Sequence, residues 1–343
     1  MSFDPNAAAA DDAGIYGLPF SPEEARVVLI PVPWDATTSY RAGTSRGPAA
    51  ILEASKQVDL RDVELGNSYE VGIAMVDIDP QVEEWNRVAR AEAVPIIKAG
   101  GVIDGDKALG KSLKAVNAAS EKVNGWVEAE AAGWLSRDKL VGLVGGDHSS
   151  PFGLIRALSK RYAEFGILHI DAHADLRDAY EGFTWSHASI MRNVVDRIDA
   201  VTRLVQVGIR DLCDAEIECI EQSEGRIVTH FDADLARRSF EGETWSSQCE
   251  RIVESLPKSV YLSFDIDGLD PVYCPNTGTP VPGGLSFNQV NYLIGALVRS
   301  GRTIIGFDLN EVAPGENDEW DANVGARMLY KMIGWAIKSQ LHA

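Results

Sequence analysis

Short apolar runs alternate regularly with longer amphipathic stretches, and this alternation restricts the fold of the chain more than any other feature. Residues 27–33 and 140–144 are continuous apolar runs, whereas residues 151–162 carry apolar side chains at helical spacing. Strands that are buried on both faces are apolar throughout, and strand–helix alternation favours a mostly parallel sheet covered by helices. We therefore predict an α/β fold with a single catalytic domain over residues 26–343. It follows an N-terminal extension, residues 1–25, that is partly ordered on the surface.

The same patterns give the predicted elements. Strands are predicted at residues 26–33, 71–79, 140–144, 166–170, 203–208, 227–231, 259–266 and 303–310. Helices are predicted at residues 47–58, 83–99, 106–137, 151–162, 186–195, 244–256, 286–300 and 323–338, with one more between the strands that end at 208 and begin at 227. We expect a break in the long helix 106–137 and an N-cap at Ser286.

Composition excludes several classes of partner. The formal net charge of −19 disfavours nucleic acid, and it can either steer cationic small molecules inward or simply keep the chain in solution. No apolar run reaches the ~18 residues of a membrane helix, so we expect no membrane partner. The acidic, alanine-rich start does not resemble a secretory signal, and the cysteines lack metal-type spacing, which predicts reduced thiols and a cytoplasmic protein.

Three polar clusters each follow a predicted strand. They are GGDHS at 145–149, DAHAD at 171–175 and DIDGLDP at 265–271. Side chains alternate faces along a strand. If the extended backbone continues past the strand end, Asp171, His173 and Asp175 point to one side, as do Asp265 and Asp267. The intervening Ala172, Ala174 and Ile266 would then pack on the other side.

Together with His148, these clusters offer four carboxylates and two imidazoles, which exceeds one ordinary metal site and suits two divalent ions. Oxygen and nitrogen donors without thiolate favour Mn²⁺, Ni²⁺, Fe²⁺ or Zn²⁺ over Ca²⁺. Taken alone, an Asp-x-Asp after a strand is more often a turn, and a histidine after a glycine turn is more often structural. Their recurrence at three strand ends is what favours a metal centre.

These motifs resemble those of the ureohydrolase family, which comprises arginases, agmatinases and their relatives. The resemblance rests on GGDHS, DAHAD and SFDIDGLDP (263–271), with support from TSYRAGTSRGPAAI (38–51) and TGTPVPGGLS (277–286). It implies a three-layer α/β/α sandwich around a mostly parallel eight-stranded sheet, in a homo-oligomer that is a trimer or a hexamer. It also implies two divalent metal ions, usually Mn²⁺, with Ni²⁺ as the main alternative.

The resemblance also implies a role for each residue of the centre. One metal ion is assigned to His148, Asp171, Asp175 and Asp265, and the other to Asp171, His173, Asp265 and Asp267. A metal-bridging hydroxide would attack the guanidino carbon and release urea and an amine. In this scheme Asp175 orients the hydroxide, Glu311 pairs with the guanidinium and His187 carries a proton to the leaving amine. The alternatives are a strand-end surface charge for Glu311 and a backbone-bonded helix-start residue for His187.

The identity of the guanidino substrate is expected to depend on the loop at residues 176–185 and on residues 273–278. Asp178 in the first loop suits a cationic tail such as that of agmatine, and Trp185 could close a short pocket. The agmatinase-like interpretation leads. Because PWDATTSY (33–40) departs from ordinary agmatinases, the alternative is hydrolysis of guanidine itself, or of small N-alkyl guanidines or biguanides, with Ni²⁺ as a possible metal. A non-catalytic subunit of a hetero-oligomer and a single-metal deacetylase are the alternatives from other classes.

Overall fold

The computed structural model describes residues 3–316 and 318–341. Within them, eight strands form one sheet whose neighbouring strands are all parallel. The strands are β1 (Val27–Val32), β2 (Ile73–Met75), β3 (Leu140–Gly145), β4 (Phe165–Ile170), β5 (Val201–Ile209), β6 (Ile227–Phe231), β7 (Ser259–Asp265) and β8 (Thr303–Asn310). Their order across the sheet is β2-β1-β3-β8-β7-β4-β5-β6.

Ten α-helices lie within the described residues. They are α1 (Gly47–Ser55), α2 (Pro80–Lys98), α3 (Lys107–Leu135), α4 (Phe152–Ser159), α5 (Ile190–Arg197), α6 (Asp214–Gln222), α7 (Asp232–Phe240), α8 (Trp245–Glu254), α9 (Phe287–Arg299) and α10 (Trp320–Gln340). Buried side chains of α1 and of α7 to α10 share one apolar cluster with one face of the sheet, and those of α3 to α5 share a second cluster with the other face. The predicted three-layer α/β/α sandwich is therefore confirmed.

Strands and caps follow the local sequence closely. Strands β6 and β8 have the predicted bounds, and Ser286 caps α9 as expected. The Ser286 hydroxyl accepts a hydrogen bond from the backbone N–H of Gln289 at 3.2 Å. The Gln289 side-chain oxygen accepts one from the backbone N–H of Ser286 at 2.9 Å. This reciprocal cap satisfies two N–H groups that a helix start otherwise leaves unpaired.

One expectation about a helix was wrong, and one helix was not predicted. Helix α3 runs unbroken through 29 residues, because a buried stripe from Val116 to Leu135 recurs every three or four residues and keeps one face against the protein. Helix α7 was not predicted. Its polar sequence buries only Leu235, so it lacks the apolar periodicity that indicates a helix.

The segment before β1 packs against α10 near the end of the chain. Tyr16 is buried in a left-handed backbone conformation, with φ of 58°. Its hydroxyl donates to the carbonyl of Ala326 at 3.0 Å, and its ring lies 4.9 Å from that of Tyr330 in α10. Across the part of the chain that the structure describes, no helix has the length and apolar character needed to span a membrane.

Candidate metal centre and adjoining cavity

The four central strands of the sheet, β3, β8, β7 and β4, carry the polar clusters at their carboxyl ends. His148 lies just after β3, Asp171 just after β4, Asp265 at the end of β7 and Glu311 just after β8. Because these strands are parallel neighbours, their carboxyl ends meet at the same edge of the sheet, which is where ligands bind in open α/β folds.

Around His148, three carboxylates converge on one ring nitrogen. Its Nδ1 lies 2.9 Å from Asp171 Oδ2, 3.3 Å from Asp175 Oδ2 and 3.4 Å from Asp265 Oδ2. The other ring nitrogen, Nε2, lies 2.9 Å from the hydroxyl of Ser263. His148, Asp171 and Asp175, together with His169, form a group whose ligand atoms are close enough to hold a metal ion.

A second group lies beside the first and shares Asp171. His173 Nδ1 is 3.2 Å from Asp267 Oδ2 and 3.5 Å from Asp171 Oδ1. Asp171, His173 and Asp267 are also close enough to hold an ion together. The six side chains predicted as ligands therefore converge in two adjoining groups, with Asp171 between them.

The backbone conformation at Asp175 and Asp267 differs from the extended conformation that we predicted. Asp175 has a left-handed φ of 56°, and Asp267 lies in a 3₁₀ turn, Ile266–Gly268, so the extended conformation does not continue to either residue. The side chains of Asp171 and Asp265 instead accept the backbone N–H groups of His173 (2.6 Å) and Asp267 (2.8 Å). Aspartate commonly bonds to the backbone two residues on. The intervening Ala172, Ala174 and Ile266 are fully buried, as the alternation predicts.

The electrostatics of the centre show an excess of buried negative charge. Burial, followed by repulsion from Asp171, raises the pKa of Asp175 to about 7. Burial and then Asp267 raise the pKa of Asp265 well above its usual range. Burial also acts to raise the pKa of Asp171, but the electrostatic interaction with the His169 ring and hydrogen bonds from three histidines outweigh it and hold that pKa low. Divalent cations would remove the repulsion among these carboxylates.

The donor chemistry fits such cations. The two groups offer carboxylate oxygens and imidazole nitrogens only. The nearby Cys274 is buried, its Sγ contacts the carbonyl of Ile266 at 3.3 Å, and burial raises the pKa of its thiol far above the usual range. A protonated thiol is a poor ligand, so the set suits an ion that accepts oxygen and nitrogen ligands without sulfur.

A cavity of about 370 Å³ opens beside the second group. His173, Asp175 and His187 form part of its wall. The rest is formed by Ser39, Tyr40, Arg41, Arg177, Tyr180, Ala188, Asp211, Glu216, Thr279, Pro280 and Val281. The DAHAD cluster therefore faces a space large enough for a small molecule.

His187 lies on this wall as a neutral imidazole. It begins a 3₁₀ turn that leads into α5, and its Nδ1 is 3.3 Å from the hydroxyl of Ser186. The ring of Tyr180 stands edge-on to it, with the centroids 6.1 Å apart. Burial, followed by the charge of His173, lowers the pKa of His187 to about 3. Near neutral pH the ring therefore has a lone pair available to accept a hydrogen bond or a proton.

Glu311 is buried next to His148, and it is not among the described residues that form the cavity wall. Its backbone is left-handed, with φ of 62°, and its N–H donates to the carbonyl of Gly146 at 2.7 Å. One carboxylate oxygen accepts the backbone N–H of His148 at 2.9 Å. Burial and then the charge of Asp147 raise its pKa well above the usual range.

The two remaining predicted substrate contacts lie elsewhere. Asp178 is exposed, and neither it nor Trp185 belongs to the cavity wall within residues 3–316 and 318–341. The ring of Trp185 packs 4.8 Å from that of Phe152, and the guanidinium of Arg197 lies 4.9 Å above it. Trp185 thus contacts the apolar layer of α4 and α5, whereas Tyr180 from the same loop faces the cavity.

Sequence reasoning missed His169, which lies 2.8 Å from Asp171 through its Nε2. It was overlooked because it lies inside the apolar strand β4. Its position two residues before Asp171 places both side chains on one face of the strand, and that spacing was the available signal. Asp308 of β8 was missed for the same reason, although it is fully buried and 3.1 Å from Ser263.

Comparisons of the sequence and of the structure with known proteins agree on one family. A sequence model of the arginase family matches residues 25–334. The chain is 35% identical over 318 residues to the N(1)-aminopropylagmatine ureohydrolase of Thermus thermophilus, covering 91% of this chain and 90% of that protein. It is 29% identical to the agmatinase of Bacillus cereus, with 91% and 93% covered. The crystal structure of agmatine ureohydrolase from Thermoplasma volcanium superposes with a TM-score of 0.71 at 24% identity, covering 98% of this chain and 96% of that one.

Proposed function

The chain belongs to the arginase family of hydrolases, which act on the C–N bonds of linear amidines, and on that premise we propose that it is an agmatinase-like enzyme that releases urea from a guanidino compound with an amine tail. The observation that carries the proposal is the convergence of five predicted ligands in two groups that share Asp171, with the sixth, Asp265, 3.4 Å from His148 Nδ1, beside a cavity of about 370 Å³. The names of the two curated relatives, both of which refer to agmatine-type substrates, support it.

We assign the ligands in two sets that share carboxylates. His148, Asp171, Asp175 and Asp265 would hold one divalent ion, because the three carboxylates surround His148 Nδ1 at 2.9 to 3.4 Å. Asp171, His173, Asp265 and Asp267 would hold the other. When bound, such ions supply Lewis acidity that makes water a nucleophile near neutral pH. Mn²⁺ is the expected ion, with Ni²⁺ as the alternative.

The protein groups then orient substrate and protons. Asp175 lies between the first ligand group and the cavity wall, where its carboxylate can accept a hydrogen bond from the attacking water. His187 is neutral and on the wall, so its lone pair can accept the substrate's N–H or receive a proton destined for the leaving amine. The carboxylate of Glu311 is buried and lies outside the described cavity wall, and its two oxygens suit bidentate pairing with a planar guanidinium.

A cationic tail would meet Asp211 rather than Asp178. Asp211 is on the cavity wall, its side chain is 67% exposed, and its Oδ2 lies 4.0 Å from His173 Nε2. The wall also carries Arg41 and Arg177, but the Arg41 guanidinium donates to the carbonyl of Pro275, and Arg177 lies over the ring of Tyr180. The net charge of −19 attracts a dication into the cavity.

The second candidate is hydrolysis of guanidine or of small N-alkyl guanidines, and the close packing around Glu311 favours it. A Cβ placed on Gly278 would lie 3.2 Å from Glu311 Oε2, 3.5 Å from the carbonyl of Arg41 and 3.8 Å from the methyl of Thr38. The Thr38 hydroxyl is buried and has no hydrogen-bond partner among the described residues. These groups pack closely around the carboxylate of Glu311, so a guanidinium that pairs with it has little room beside it for a substituent.

A urea-release panel tests both candidates. The isolated chain is assayed with agmatine, arginine, guanidinobutyrate, guanidine and methylguanidine, in Mn²⁺ and in Ni²⁺. The agmatinase-like proposal expects agmatine to give the highest kcat/KM. Guanidine as the best substrate would overturn it in favour of the second candidate. No urea from any compound would instead favour a non-catalytic subunit.

A further inference from the structure

A row of polar side chains crosses the sheet directly beneath the proposed metal centre. Strand register places Thr229 of β6, Gln206 of β5, His169 of β4, Ser263 of β7 and Asp308 of β8 side by side. Gln206, His169, Ser263 and Asp308 are fully buried. Polar groups at this depth have to satisfy one another, so the hydrogen bonds from Thr229 through Gln206 to His169 determine which atom donates at each step.

The orientation of Gln206 follows from its fixed neighbours. Its amide nitrogen lies 2.7 Å from the carbonyl of Ala174, which can only accept a hydrogen bond, so the amide N–H₂ must face that carbonyl. The hydroxyl of Thr229 lies 2.9 Å from the amide oxygen and donates to it. The second amide N–H points at His169 Nδ1, 3.0 Å away, which must therefore be the unprotonated nitrogen.

Resting on the proposed two-metal function, we infer that His169 is not a metal ligand but a positioning residue that donates Nε2–H to the shared carboxylate of Asp171. Since Nδ1 accepts from Gln206, the ring proton is on Nε2, which lies 2.8 Å from Asp171 Oδ2. An Nε2 that carries a proton has no lone pair for a metal ion. The donated bond fixes the Asp171 oxygen that also faces His148, and leaves Oδ1 toward His173.

Substitutions at His169 distinguish its role as a hydrogen-bond donor from a role as a metal ligand. The amide nitrogen of glutamine takes nearly the position of Nε2 and donates a proton, so His169→Gln keeps the donor, whereas His169→Leu removes it. We expect His169→Leu to weaken Mn²⁺ binding by about 10- to 100-fold, the usual effect of losing a partner of a metal ligand. We expect His169→Gln to restore most of the affinity and the full number of bound ions.

Gln206→Leu tests whether the hydrogen bond from Gln206 fixes the tautomer of His169. It also covers the case in which His169→Leu does not fold. It frees the ring of His169 to adopt the other tautomer, so Mn²⁺ affinity should fall. The same substitution removes the hydrogen bond to the carbonyl of Ala174, so the loss is compared with that of His169→Leu, which keeps this bond. His230→Asn is the matched control, because this part-buried histidine lies on β6 next to Thr229 but outside the row.

Bound Mn²⁺ is counted by electron paramagnetic resonance of the free ion during titration, with thermal unfolding of each variant as the control for folding. Loss of one bound ion in His169→Gln would show that His169 is a ligand and overturn the inference. Unchanged affinity in Gln206→Leu would overturn it too. Urea release by the unsubstituted chain is measured under the same conditions. If that chain binds two ions but releases no urea, the proposed function is rejected and the role of His169 stands.

Discussion

Replacing Gly146 with alanine is expected to displace His148 and thereby weaken metal binding and turnover. Gly146 follows β3, two residues before His148. A Cβ at this position would lie 2.0 Å from the carbonyl oxygen of Trp34 and 2.7 Å from its carbonyl carbon. Both neighbours are backbone atoms, so no side-chain rotation can relieve the contact.

The size of the displacement follows from these distances. Ordinary contact begins near 3.4 Å, so one segment has to move by roughly 1.4 Å, the difference from 2.0 Å. The loop is held from both sides, because Asp147 donates its N–H to Trp34 and Glu311 donates its N–H to Gly146, each at 2.7 Å. Overpacking of this kind costs about 1–3 kcal/mol, and an error of about 1 Å in a catalytic group costs about a hundredfold in rate.

Thermal unfolding, Mn²⁺ titration and urea release measure the effects together. For 343 residues, a loss of about 1–3 kcal/mol lowers the melting temperature by roughly 1–4 °C. Gly133→Ala in α3 is the matched control, since a Cβ there meets nothing within 4 Å and should stabilise the helix by about 0.5–1 kcal/mol. Full Mn²⁺ affinity and full urea release in Gly146→Ala would refute the reasoning.

The other predictions concern the residues of the centre. Asp265→Ala should abolish urea release and reduce the number of bound metal ions, and metal analysis that finds two ions per chain would contradict its assignment to both sets. His187→Ala should keep the metal ions and lower kcat by about a hundredfold or more, the usual effect of a lost proton donor or acceptor; unchanged turnover would remove it from the reaction. Glu311→Gln should raise KM for the guanidino substrate more than it raises the Mn²⁺ dissociation constant, and parallel titrations compare the two. Because the ionised form of Asp175 binds the cation and its pKa is about 7, Mn²⁺ affinity should fall as the pH drops below about 7, by up to about tenfold per unit for this one proton. An affinity independent of pH from 5.5 to 7 would contradict that competition.

Sequence patterns located the sheet and the ligands because both depend on short-range signals. Continuous apolar runs marked the strands, and the polar clusters at 145–149, 171–175 and 265–271 marked the strand ends that converge. The direction of individual side chains was less predictable. Asp175 has a left-handed backbone conformation, and Asp267 lies in a 3₁₀ turn. The alternation of side chains along a strand predicts neither conformation, because both lie beyond the strand ends.

Residues inside strands and on loops were harder to assign. His169 and Asp308 lie within apolar runs, where a single polar residue gives no signal until its neighbours across the sheet are known. Trp185 was expected at the substrate pocket, but its ring packs beside Phe152, and the choice between two faces of a loop depends on tertiary contacts. Asp211 was not considered, because it joins the cavity only once β4 and β5 are paired.

Anomalous diffraction from crystals grown with Mn²⁺, recorded at the manganese absorption edge, tests the two-ion centre most directly. The expected map has two peaks per chain, one among His148, Asp171, Asp175 and Asp265, and one among Asp171, His173, Asp265 and Asp267, with none bonded to His169. A single peak, or peaks away from Asp171, would contradict the account.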